Sequence, residues 1–228
     1  MTFLVIACSS PVDTETIAKA NAAFEEKHYQ VALPLYLQAL AKSPKDLSLY
    51  IKIAHIYKAL GNRQKLEETL ISALEVDNSC QARKKLAELY LASFEPGKAQ
   101  LHYEAITEAL PNDPNSFNGV GVCLDQQGNH KKAQDSYNKA LSLAPNDAQI
   151  KSNLALSLAF SNKYEEAIRI LEPIGLSETA TKKQRHNLAL VYALANHEDK
   201  CRRLLEHELC ADQIDHFLSV MTNRVPRG

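Results

Sequence analysis

Six small residues recur at one interval along the chain, Ala20, Ala54, Ala87, Gly121, Ala155 and Ala189, with steps of 34, 33, 34, 34 and 34 residues. A second ladder keeps the same beat twelve residues later, at Ala32, Leu66, Ala99, Ala133, Ala167 and Cys201. Small side chains at matched positions let two helices approach backbone to backbone, so interlocked ladders predict helix pairs copied six times. Three residues after the first ladder come Ala23, Tyr57, Tyr90, Leu124, Leu158 and Tyr192, and four after the second come Tyr36, Leu70, Tyr103, Tyr137, Leu171 and Leu205. Offsets of three and four place small and large side chains on one helical face, where they interdigitate.

The punctuation follows the same period. Pro44, Pro111 and Pro145 close units, with Asn78 in the equivalent place of the second, and proline cannot prolong a helix. Gly61, Gly128, Asn162 and Asn196 occupy turns inside units and tolerate a left-handed helix end. Asp46, Asp113 and Asp147 precede helices as N-caps or first-turn acids. This period and pattern resemble the tetratricopeptide repeat, a helix-turn-helix unit of 34 residues. The expected fold is all-α, a solenoid of about six helix pairs with a C-terminal capping helix.

The expected pairs are 14–26 with 29–42, 46–60 with 63–76, 79–93 with 95–109, 113–127 with 130–143, 147–161 with 164–172, and 181–195 with 197–208. Two units are irregular. Glu95, Pro96 and Gly97 are expected at the third inter-helix turn, where the proline can open the second helix, and Pro173 is expected to end the fifth pair near Leu171, leaving a loop over 174–181. Asp212 is expected to cap a last amphipathic segment carrying Ile214, Phe217, Leu218 and Met221, which would cover the open apolar end of the stack. The repeats then fill 13–209 as one array, with the cap and tail over 210–228.

A stack of helix pairs presents a concave face that binds proteins, and no catalytic constellation, cofactor or metal site is expected. The eight histidines form no two-histidine helical zinc motif, and the five cysteines include no C-x-x-C. Cys123 and Cys201 sit at repeat core positions. With Cys80 and Cys210 they allow three disulfide pairings or none. The net charge is −1, and Arg83-Lys84-Lys85 reads as a solvated helix face, so no nucleic-acid partner is expected.

Phe3 to Cys8 is apolar, with Ala7 before the cysteine and Ser9, Ser10 and Pro11 after it. The segment is similar to the lipobox of bacterial lipoproteins, in which a signal is cut before a lipid-bearing cysteine. On that reading 1–12 is the remnant of a longer signal together with a tether. The alternative is an ordinary apolar run beside a surface cysteine.

A closer resemblance runs through Gly119–Gly128 (GVGVCLDQQG), Ala133–Asp147, Asn153–Ala159, Tyr164–Pro173 and above all Arg185–Ala195 (RHNLALVYALA), then Leu204, Leu205, Glu208 and Leu209. In these segments, the proline in the fifth pair and the closing Phe217–Leu218, the chain resembles the TadD family of tight-adherence (Flp, type IVc) pilus assembly lipoproteins. The resemblance implies an outer-membrane lipoprotein facing the periplasm, anchored through lipid on Cys8 and pilotin-like towards the outer-membrane secretin or another pilus component. Serine after the cysteine fits outer-membrane sorting under the same resemblance. The rival expectation is a soluble cytoplasmic tetratricopeptide scaffold or co-chaperone.

On such an array the concave surface comes from the first helix of each pair. Counting from the small ladder gives Phe24, His55 and Lys58, then Val122, Asp125 and Gln126, then Leu156 and Phe160, then Leu190 and Leu194 as groove residues. The later four are apolar and would receive a partner's apolar side, unless the last helix folds back over them.

Overall fold

The computed structural model describes residues 14–222, and Cys8 with the rest of 1–13 lies outside them. All thirteen elements among the described residues are α-helices. They are grouped in two compact units, 1–93 and 94–228.

The first unit holds α1 (Thr14–Glu25), α2 (Tyr29–Lys42), α3 (Leu47–Ala59), α4 (Arg63–Val76) and α5 (Cys80–Ala92), each packed on the next. Ala20, Ala32, Ala54 and Ala87 are wholly buried, and Tyr36 and Leu70 fill the space these small residues leave. The second unit holds α6 (Pro96–Ala109), α7 (Pro114–Gln126), α8 (His130–Leu143), α9 (Ala148–Phe160), α10 (Tyr164–Gly175), α11 (Lys182–Leu194), α12 (Glu198–Leu205) and α13 (Ala211–Thr222). Consecutive helices pack in pairs, and α7, α9 and α11 also touch in sequence, so the first helices of successive pairs lie side by side. Both ladders are buried throughout, as the spacing predicts.

Local chemistry explains the boundaries. Asp46 accepts from the Ser48 amide at 2.9 Å, Asp113 from Asn115 and Ser116, and Asp147 from Gln149 and Ile150 at 2.8 and 3.0 Å. Each is an N-cap, worth about 1 kcal/mol to its helix. The turn inside each of the six helix pairs carries one left-handed residue: Lys27, Gly61, Phe94, Gly128, Asn162 and Asn196, with φ between 57° and 77°. These six keep the period of the ladders. At five of them the next amide donates back to a carbonyl five residues earlier, His28 to Ala23, Asn62 to Tyr57, Asn129 to Leu124, Lys163 to Leu158 and His197 to Tyr192, at 2.8–2.9 Å. That bond closes orphan carbonyls at the helix end.

In the third pair Pro96 opens α6 as expected, in the first turn where its missing amide costs nothing, and the turn before it is centred on Phe94. Two expectations are corrected. Helix α10 runs through Pro173 to Gly175. Proline in the last turn forfeits one hydrogen bond while its fixed φ remains helical, and Gly175 keeps the helix seated on α11: a Cβ there would meet Leu188 at 2.9 Å. Asp212 is the second residue of α13 rather than its cap. The amide of Cys210, just before the helix, donates to Gln213 Oε1 at 3.1 Å instead, and Asp212 serves as a first-turn acid. Ile214 and Leu218 of α13 are buried against α11 and α12, so the segment covers apolar surface as expected.

Candidate protein-binding surface

In the first unit, α1, α3 and α5 line an open cleft of about 870 Å³, with parts of α4 at its base. Three groove residues expected from the sequence meet here. Phe24 from the last turn of α1 stands edge-on to His55 of α3, with ring centroids 5.0 Å apart, and Lys58 follows one turn later. The cleft also includes Ile51, Lys52, Lys85, Glu88 and Leu89. Ile51 lies one turn before His55, and Lys85 lies three residues before Glu88, so extending the count one turn backwards finds both.

The lining is apolar between the first helices and cationic around them, with Lys52, Lys58, Arg63 and Lys85 against the one carboxylate of Glu88. Lys52 is held in place: its ammonium donates to Asn21 Oδ1, which also accepts from the Tyr36 hydroxyl at 2.7 Å, and it lies 5.4 Å from the centre of the Tyr36 ring. Burial, then the Glu25 charge, raises the Tyr36 phenol, keeping it a donor. The basic run reads differently in three dimensions. Arg83 bonds Asn78, Lys84 is exposed, and Lys85 turns into the cleft.

The second unit places the remaining candidates unevenly. Val122, Leu156 and Leu190 are half-buried against the core, and Gln126 is exposed. Phe160 is 50% exposed, its ring 5.7 Å from that of His130, so α13 leaves it open. Leu194 is buried within the core. Asp125 is engaged inside the protein: Oδ2 accepts from Tyr137 at 2.8 Å, Oδ1 accepts from Ser157 at 2.7 Å, and His130 Nδ1 lies 2.9 Å from Oδ1. Ser157 donates to the carboxylate and not to the imidazole, so this serine, histidine and aspartate do not form an activated nucleophile.

No group of three or more histidine, cysteine or acidic side chains among the described residues is arranged to hold a metal ion. No described helix is long and apolar enough to cross a membrane.

Known proteins share this architecture. Family models for the tetratricopeptide repeat match residues 47–80 and 114–147. A BBSome complex member BBS4 homolog of Drosophila melanogaster is 24% identical over 149 residues, which is 64% of this chain and 31% of that protein. The chain spans 31% and 45% of the first two curated relatives it matches. Among solved structures, a tetratricopeptide repeat protein from Parabacteroides merdae superposes with a TM-score of 0.70 at 16% identity, covering 94% of this chain and 86% of that one. The pilF protein of Pseudomonas aeruginosa gives a TM-score of 0.70 at 13% identity, covering 91% and 96%. At such identities the likeness concerns the fold. Two matched repeat units, buried small-residue ladders and paired helices together give this chain the fold of a tetratricopeptide repeat solenoid.

Proposed function

We propose that this chain is a protein-binding adaptor of tight-adherence pilus assembly, held at the periplasmic face of the outer membrane by acyl chains on Cys8 and pilotin-like towards the outer-membrane secretin. The adaptor reading is carried by the open cleft on the first helices of unit one, where Phe24, His55 and Lys58 converge without an internal occupant among the described residues. The assignment to pilus assembly draws on the likeness of 119–220 to tight-adherence lipoproteins at positions the repeat does not dictate, above all Arg185–Ala195. Acyl chains on one cysteine give stable attachment when two or more are present, and the repeats are then free to hold a partner near the membrane.

Metabolic labelling with a clickable fatty acid, using the natural start of the reading frame and Cys8→Ala as control, tests the anchor. Label on the natural chain and none on the variant is expected. Absence of label on both would leave a soluble scaffold. Co-purification from envelope extracts tests the partner: the secretin is expected with the natural chain, and Phe160→Glu is expected to reduce capture at unchanged helix content. Full capture by that variant would move the contact away from the second unit's exposed phenylalanine.

A further inference from the structure

The cleft of the first unit is built for one kind of occupant. Its floor is apolar, with Ile51, Tyr57 and Leu89 among its walls, and the cations around it outnumber the carboxylate of Glu88 four to one. Lys58 of α3 and Lys85 of α5 form no ion pair or side-chain hydrogen bond among the described residues. An occupant lacking acids would desolvate these ammonium groups without replacing their lost hydration, and a basic one would be repelled. A purely acidic strand would leave the floor uncovered. The volume, about 870 Å³, lies within the roughly 300–1,000 Å³ of pockets that enclose small ligands, so it takes a short stretch of chain and not a folded domain.

We infer that this cleft binds an acidic segment of a protein partner in which carboxylates alternate with apolar side chains, the carboxylates reaching Lys58 and Lys85 and the apolar groups resting on the floor. The inference depends on the adaptor reading above and adds the partner's chemistry. It also gives the first unit a contact distinct from the apolar Leu156 and Leu190 strip.

The test uses the full chain and three fluorescein-labelled ten-residue peptides, one alternating glutamate with leucine, one glutamine with leucine, and one lysine with leucine, read by fluorescence anisotropy. The acidic peptide is expected to bind at least about tenfold more tightly than the glutamine peptide, with the preference shrinking as salt rises. Lys58→Glu combined with Lys85→Glu is expected to weaken it by roughly tenfold or more at unchanged circular dichroism. Lys131→Glu combined with Lys132→Glu makes the same change of charge on exposed positions of α8 and is expected to have no effect. Equal affinity for acidic and glutamine peptides, or equal loss in both double variants, would overturn the inference. So would a concentration-dependent dimer that dissolves in the Lys58 and Lys85 variant, since a second copy would then be the occupant. Failure of every peptide while envelope capture of the secretin persists would overturn the inference alone, and loss of that capture would remove the adaptor reading with it.

Discussion

The Tyr137 hydroxyl donates to Asp125 Oδ2 at 2.8 Å, and the same tyrosine ring occupies the space a side chain at Gly121 would need, 2.5 Å from an added Cβ. One residue of α8 therefore fixes two of α7, a polar tie and a close backbone approach. Burial, then the nearby Asp125 charge, pushes the Tyr137 phenol far above its ordinary range, so it stays protonated and donating.

Removing each part of this tie has a different cost. Tyr137→Phe loses one hydrogen bond while Asp125 keeps Ser157 and His130, and about 1 kcal/mol of stability should go. Asp125→Ala strands the buried tyrosine hydroxyl as well, and about 3 kcal/mol is expected. Gly121→Ala forces the buried ring aside and should cost about 2 kcal/mol even though alanine is the better helix former. Gly97→Ala, whose added Cβ meets nothing within 4 Å, should be neutral or stabilising. Urea unfolding of the four variants checks the order, and an equal effect of Gly121→Ala and Gly97→Ala would show that the ring does not set the helix spacing.

The left-handed turn residues give a second prediction. Gly61, Gly128, Asn162 and Asn196 suit a positive φ, whereas Lys27 (59°) and Phe94 (57°) bear the crowding of a Cβ there. Phe94 is 85% exposed, so little packing is lost when it is replaced. Phe94→Gly and Lys27→Gly should each stabilise by about 1 kcal/mol, and Gly128→Ala, with nothing within 4 Å of its added Cβ, should destabilise by a similar amount through backbone strain alone. Thermal melts decide: a lowered melting temperature in Phe94→Gly would mean that the aromatic ring supports the turn.

These turns also mark how far the fold is legible in the sequence. Period, pairing and the buried ladders follow from side-chain volume, which a single sequence states openly. Glycine and asparagine announce four turns by their backbone preference, and Phe94 is hidden because the repeat imposes the conformation on a residue that disfavours it. Pro173 misleads for the opposite reason, since a missing amide near a helix end is a small loss beside the packing of Gly175 on Leu188. Among the groove candidates, Phe24, His55 and Lys58 share a cleft, while Asp125 is taken up by internal hydrogen bonds and Leu194 is buried in the core. Spacing places a residue on a face but does not say whether hydrogen bonds or neighbours already occupy it. Lys85 was obscured by its basic neighbours, which read as a solvated face.

The thiols should divide by burial. Cys123 is pushed up to about 12, by burial first and then by Glu104, and Cys201 up to about 11 by burial. Only the thiolate attacks a disulfide reagent, so neither should react with Ellman's reagent at pH 8 until the protein unfolds. Cys210 is exposed and should react at once, with half-buried Cys80 slower. The four are free thiols, so the Cys8→Ala chain should release four equivalents in denaturant without reductant. A missing pair of equivalents would reveal a disulfide and contradict this arrangement.

Acid should loosen the C-terminal helices first. Glu208 follows α12 and accepts from Arg185 of α11, with His186 Nε2 at 3.2 Å and Lys182 Nζ at 3.9 Å. The Arg185 hydrogen bond, reinforced by the charges of Arg185, His186 and Lys182, holds its carboxyl below the usual range. On α10, Glu172 is lowered by the Tyr192 hydroxyl and by Lys200, at 2.7 and 3.1 Å. A carboxyl whose folded value is depressed contributes its full stabilisation above the unfolded value, near pH 4.3, and loses it as pH falls through the lower folded value. The melting temperature should therefore be level from pH 7 to about 5 and fall steeply below 4.5. Glu208→Gln should start lower at pH 7 and fall less steeply, because the variant has no proton to take up at that site. Parallel curves for the two proteins from pH 5 to 3 would mean that Glu208 titrates alike folded and unfolded, and the contact with Arg185 would then contribute nothing to holding α11 against the segment after α12.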